Sequence, residues 1–174
     1  MMTAETSNRM ALSSLTLTVA EASGWYKPNY TLAENLFWGK NRGCKFVNKK
    51  CLFGDPLNAT GPEFCSIPKE LGCDFESIGS AVCFTKTGAV SNRYWNYFGN
   101  NTIAVDPYTD NCPVYTAYGN RICGPGASPK GSSPEYFGTN SACFKSGIHY
   151  IKKSSAVQGY CYEYKVNLTY KKYR

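Results

Sequence analysis

A chain of 174 residues with 19 Lys and Arg against 12 Asp and Glu is long enough for one domain with a core of its own. Its single histidine, His149, set beside nine cysteines, excludes a His-rich metal site and a His-Glu-x-x-His helix, which needs two. The net charge of +7 gathers in residues 40–50 and from Phe144 onward, a pattern open to acidic protein surfaces, anionic glycans or lipid headgroups, and equally to plain solubility.

Residues 7–24 form the first unit. Leu12, Leu15, Val19, Ala22 and Tyr26 recur at three- and four-residue steps, which predicts one amphipathic helix near residues 7–23. Ser7 or Thr6 is read as its N-cap and Gly24 as its stop. Two patterns compete. Leu15-Thr16-Leu17-Thr18-Val19 alternates as a strand would. Arg9, residues 10–20 and Ala20-Glu21-Ala22 imitate a signal peptide, but Ser13, Ser14, Thr16 and Thr18 weaken its apolar stretch and Glu5 cancels its charge.

From residue 38 to 143 the text is cystine-rich and irregular, punctuated by Gly54-Asp-Pro56, Gly61-Pro62, Asp106-Pro107, Cys112-Pro113 and Gly124-Pro-Gly126. Residues 124–134 read as an exposed loop. The block Tyr94-Trp-Asn-Tyr-Phe98 reads as a core plug beneath the disulfides rather than a ligand platform. In the last unit Tyr160, Tyr162, Tyr164, Val166, Leu168 and Tyr170 alternate with polar residues and Cys161, a strand period, and Ile148-His-Tyr-Ile151 is the expected hairpin partner. No run approaches the roughly 18 apolar residues of a membrane span. The expected fold is α+β: a loop-rich, disulfide-stapled domain with one N-terminal helix and a small C-terminal antiparallel sheet.

The cysteines stand at 44, 51, 65, 73, 83, 112, 123, 143 and 161, with no Cys-x-x-Cys among them, so zinc-knuckle and thioredoxin readings fall away. They read as a disulfide framework made in an oxidising compartment, with an odd cysteine left over. Four sequons agree: Asn29-Tyr-Thr31, Asn58-Ala-Thr60, Asn100-Asn-Thr102 and Asn167-Leu-Thr169. The expected location is extracellular or cell-surface, which disfavours nucleic acid as a partner. Zinc proteolysis needs three protein ligands, an open position for water and a carboxylate base. His149 reads as a surface or hydrogen-bonded histidine, and Glu21 and Glu34 have no histidine beside them to make them bases. No catalytic or metal-binding residue is assigned.

Several stretches in order resemble one family. Met2-Thr-Ala, Glu21-Ala-Ser-Gly-Trp-Tyr26 and Trp38-Gly-Lys-Asn-Arg-Gly-Cys44 are similar to the leishmanolysin family of zinc metallopeptidases just past its active site. Phe64-Cys65, Tyr94-Trp-Asn-Tyr-Phe98, Asp110-Asn-Cys-Pro-Val-Tyr115 and Tyr118-Gly-Asn-Arg-Ile-Cys123 carry the likeness over most of the chain. The resemblance implies that Met2 is the family's methionine turn, that residues 1–36 complete a catalytic domain and that residues 37–174 are a cystine-rich C-terminal domain. It implies a zinc endopeptidase acting on protein substrates, with links to adhesion and membranes, whose zinc ligands and catalytic glutamate are absent from this stretch. The stretch is then a fragment, a short gene model or an inactive remnant, and inactive by itself. Carried over by position, the family's scheme gives Cys51–Cys112, Cys65–Cys83, Cys73–Cys143 and Cys123–Cys161. Cys44 is left unpaired, its partner upstream. The helix face Leu12, Leu15 and Val19 is expected to pack partly on this chain and partly on the catalytic half. The competing reading is a stand-alone disulfide-rich extracellular binding or adhesion module.

Overall fold

Hydroxyl capping decides where the first helix begins. In the computed structural model, which describes residues 11–89, 92–99, 101–106, 109–126, 135–147 and 157–166, α1 runs Ser14–Ala22. Ser13 holds an extended backbone and its Oγ accepts the Thr16 N–H at 3.3 Å, satisfying a donor that the helix leaves open. Ser13 also bridges Glu34, and the Leu12 N–H donates to Glu34 Oε2 at 2.9 Å. Residues 12 and 13 are thus committed to another segment, and the helix starts seven residues later than the pattern placed it. Thr6 and Ser7 lie outside the described residues. The end is as expected: Ser23 closes the last turn and Gly24 follows at φ +73°.

The orientation of α1 overturns a simple reading of its amphipathicity. No residue of the helix is buried, and Leu15 and Val19 are 61% and 67% exposed. Its half-buried residues are Thr16, Leu17 and Ala20. At about 100° per residue these lie on the side opposite Leu15 and Val19. The apolar stripe faces away from the rest of the described chain.

Strand structure is divided among four small antiparallel sheets. β1 (Leu52–Phe53) pairs with β2 (Asn58–Ala59). β3 (Leu71–Cys73), β4 (Gly79–Cys83) and β7 (Tyr115–Ile122) form a three-stranded sheet in the order β3-β4-β7. β5 (Thr85–Thr87) pairs with β6 (Thr102–Ala104), and β8 (Ser141–Ser146) with β9 (Gln158–Glu163). The register of β4 against β7 slips between Gly79 and Ala81, leaving a bulge on β7.

The C-terminal strand is shorter than its alternation in the sequence. β9 pairs with Ser141–Ser146; Ile148-His-Tyr-Ile151, the expected hairpin partner, lies outside the described residues. It ends at Glu163, beyond which the Tyr164 N–H still donates to the Asn140 carbonyl at 2.9 Å. The period of two is real, but the buried positions are Gly159 and Cys161, while Tyr160 and Tyr162 are half-exposed. Packing explains why. The Gly159 carbonyl accepts the Ser80 hydroxyl at 2.8 Å, and a Cβ at Gly159 would run into the Gly72 carbonyl oxygen and Cys143 Sγ. Only glycine lets β9 approach β3 this closely.

The core is mostly sulfur. Cys51, Cys65, Cys83, Cys123, Cys143 and Cys161 are buried, and the structure joins Cys51 to Cys112, Cys65 to Cys83, Cys73 to Cys143 and Cys123 to Cys161. Beside it Trp38, Phe46, Phe64 and Phe75 pack edge-to-face and stacked, with centroids 4.9–6.2 Å apart. Phe46 comes from α2 (Cys44–Asn48), at whose first position Cys44 is exposed and free. The Tyr94-to-Phe98 block is no core plug. It forms a 3-10 turn at Arg93–Trp95 with Tyr94 58% exposed, and Arg93 lies over the Tyr94 ring at 5.1 Å. Asn92 caps that turn and Asn96 ends it, so polar residues hold the block at the surface. Tyr97 alone of the block comes near a disulfide, its Oη 3.6 Å from Cys112 Sγ.

Loop size ranks the bonds. Cys73–Cys143 spans 70 residues and Cys65–Cys83 spans 18. On the chain-entropy account, replacing the first pair with serines costs about 4 kcal/mol and the second about 3 kcal/mol. Denaturant titration of the two double variants checks this, and a larger loss for the short loop would contradict the ranking.

Candidate functional site

The polar groups that sequence reading left unassigned converge on one cleft. Gly61–Pro62, residues 64–67, Glu70, the β3–β4 turn, Tyr115 at the start of β7 and Phe144–Lys145 of β8 line a cavity of about 770 Å³. Tyr115 Oη donates to Glu70 Oε2 at 2.5 Å, and Lys145 Nζ donates to Tyr115 Oη at 3.0 Å while standing 3.9 Å from Glu70 Oε1. The same ammonium sits 4.6 Å from the centre of the Tyr115 ring. Burial, and then the hydrogen bond to Glu70, hold the Tyr115 phenol far above its ordinary range. It stays protonated, donating to a carboxylate that Lys145 balances.

Deeper in the cleft Asp74 is buried in the β3–β4 turn, and its Oδ1 accepts the Gly79 N–H at 2.8 Å. Burial raises its carboxyl above the usual range, opposed by backbone N–H groups of residues 74–79. Two further carboxylates are structural. Glu63, almost wholly buried, takes the Arg42 Nε–H at 3.1 Å and the Gly39 N–H at 3.2 Å through Oε1. Glu135 faces Arg121 at 3.8 Å and accepts the Cys161 N–H at 3.3 Å.

This donor set does not fit a zinc ion. Each of these carboxylates is committed to a cation or to backbone N–H groups. Among the described residues no group of three His, Cys, Asp or Glu is placed to hold a metal. No helix among them is long and apolar enough to cross a membrane.

Of the residues singled out from sequence, Cys65, Cys73 and Cys143 line this cleft, while the acidic and sequon residues lie elsewhere. Glu21 accepts the Tyr30 hydroxyl at 2.7 Å, and Glu34 accepts the Leu12 N–H. Lys40, Lys45, Lys49 and Lys50 are exposed. Asn29 and Asn58 are exposed, while Met2, Asn100, His149 and Asn167 lie outside the described residues. Lys145 was counted within a basic cluster, yet its partner Glu70 is 75 positions away (145 − 70). No pattern in the sequence around residue 145 pointed to that partner.

The cleft carries a pH signature. The unfolded chain releases the Tyr115 proton near pH ~10, whereas the folded chain holds it above that. The folded state therefore binds the extra proton there, and stability falls as the pH rises past about 10. Tyr115→Phe should flatten that part of the fall, seen by urea titration at about pH 8 and about pH 11. An unchanged slope would place the proton elsewhere.

A family model described as Leishmanolysin matches residues 1–174. The Leishmanolysin of Leishmania donovani is 28% identical over 123 residues, which are 69% of this chain and 21% of that protein. The Leishmanolysin-like peptidase of Caenorhabditis elegans is 56% identical over 39 residues, 22% of this chain and 6% of that protein. The Ciliated left-right organizer metallopeptidase of Danio rerio is 25% identical over 165 residues, 88% of this chain and 22% of that protein. The chain spans about a fifth of the length of the Leishmania donovani and Danio rerio proteins.

Proposed function

The chain belongs to the leishmanolysin family, and from that premise we propose that it is the C-terminal part of a secreted or cell-surface zinc metalloendopeptidase. The family match across all 174 residues carries the reading. Zinc and its ligands, with the catalytic glutamate, belong in this reading to a part of the protein outside this stretch, and this stretch is inactive by itself. Residues 1–36 complete the catalytic domain, and residues 37–174 form the cystine-rich domain packed against it. Protein substrates meet the enzyme through the catalytic half. The exposed lysines of residues 40–50 are placed for contact with a membrane surface or glycan, which is also what a stand-alone adhesion module would use.

Zinc content tests the reading. The purified 174-residue chain, incubated with zinc and passed through a desalting column, should retain no stoichiometric metal and cleave no peptide. One tightly held zinc per chain with chelator-sensitive proteolysis would overturn the proposal. An in-frame His-Glu-x-x-His in the transcript upstream of the Met1 codon would support the enzyme over the adhesion module.

The outward stripe of α1 supports the same reading, because exposed apolar surface marks an interaction site. In this proposal Leu12, Leu15 and Val19 cover part of the catalytic half. Leu15→Lys with Val19→Lys should leave the stability of the 174-residue chain within about 0.5 kcal/mol, as surface substitutions do, while lowering secretion of the full-length enzyme. A marked loss in the short chain would mean that the stripe packs internally.

A further inference from the structure

We infer that Asn29 carries an N-linked glycan and does so at higher occupancy than Asn58. This rests on the secretory part of the reading above. The two described sequons share a motif but differ in what their side chains are doing. Asn29 lies in the exposed segment between α1 and the 3-10 turn Tyr30–Leu32, in neither a strand nor a helix. Its Oδ1 accepts both the Thr31 N–H at 3.1 Å and the Thr31 hydroxyl at 2.7 Å. That closes an Asx turn within the sequon and spends only the oxygen of the amide. Among the described residues Nδ2 donates to nothing, and it is the atom that glycan transfer uses.

Asn58 is held differently. It is part of β2, paired with Phe53 across a hairpin that starts at Cys51, itself bonded to Cys112. Its Nδ2 donates to the Pro56 carbonyl at 2.9 Å. The Thr60 hydroxyl, which the sequon needs, donates to the Lys50 and Cys51 carbonyls instead. Once the hairpin closes, Asn58 stays exposed, but its Nδ2 and the Thr60 hydroxyl are both tied to backbone carbonyls of their own loop. Asn29 remains reachable in the folded protein.

Placement around α1 makes the modification compatible with the proposed docking face. Tyr30 Oη donates to Thr18 Oγ1 at 3.3 Å and to Glu21 Oε2 at 2.7 Å, so the sequon lies against the Thr18–Glu21 flank. By helical spacing that flank is about 100° from the Leu15–Val19 stripe. A glycan on the flank leaves the stripe open. Trp25, Tyr26 and Leu32, neighbours of Asn29 in the chain, are all more than half exposed. The transfer joins Nδ2 to the anomeric carbon of an oligosaccharide. The bond from that carbon to the diphosphate of a lipid-linked donor breaks, and the amide gives up one proton.

The test is site occupancy on the full chain secreted from a eukaryotic host, read by enzymatic deglycosylation in heavy-oxygen water and peptide mass spectrometry. The expected result is a heavy Asp at position 29 in most molecules and several-fold less at position 58. Asn29→Gln and Thr31→Ala should each remove one glycan's mobility shift, Thr31→Ser should keep it, and Asn58→Gln should change it little. Occupancy at Asn58 equal to or above that at Asn29 would overturn the inference while leaving the secretory reading standing. A secreted chain modified only at Asn100 or Asn167 would do the same. A chain with no glycan at any sequon would overturn both.

Discussion

One pair of facing cysteines holds the domain together. Cys143 and Cys161 stand directly opposite in the β8–β9 ladder, yet they do not bond to each other. Cys143 reaches Cys73 at the end of β3, and Cys161 reaches Cys123 just beyond β7. β3 and β7 are the two outer strands of the three-stranded sheet. The hairpin is therefore bolted across that sheet from edge to edge, and the Ser80 hydroxyl of β4 fastens its middle to the Gly159 carbonyl. An isolated two-stranded sheet is marginal in water, and three of the four described sheets are of that kind, so they need an external constraint. The crossed bonds supply it, and the glycines at 72 and 159 provide the close approach that lets the bonds form.

That arrangement sets the cleft. Lys145 sits two residues past Cys143 on the same strand and thus on the same side of β8. Its ammonium meets Glu70 and Tyr115 because the Cys73–Cys143 bond has placed β8 alongside the sheet. The resulting trio is a balanced charge pair around a phenol that keeps its proton. It gives the cleft a polar wall alongside the lining rings of Phe75 and Phe144.

Local pattern reached only part of this. The fold class, the end of α1 at Gly24 and the strand character near Cys161 are properties of a few neighbouring residues, and all were visible in the sequence. The start of α1 was not, because Ser13 is claimed by Glu34, a residue 21 positions on (34 − 13). Periodicity from Tyr160 onward pointed to a strand, which runs Gln158–Glu163, but not to its inner face. Tyrosines look like the buried set by composition, while the close packing of β9 admits only glycine and cystine there. α1 shows the same limit of pattern, since its apolar stripe faces away from the described chain. A helical wheel reports that a face exists and says nothing of what covers it. The choice among roughly a hundred pairings of eight cysteines is likewise not a local property, and only family resemblance narrowed it.

The bonds have a further consequence when the chain is followed from end to end. Cys51–Cys112 spans every peptide bond from 51 to 112, Cys73–Cys143 carries the cover on to 143, and Cys123–Cys161 carries it to 161. Because the spans overlap, no single cut anywhere between residues 51 and 161 can release a piece. A chain cross-linked in this way can be nicked in a loop and still keep its covalent continuity.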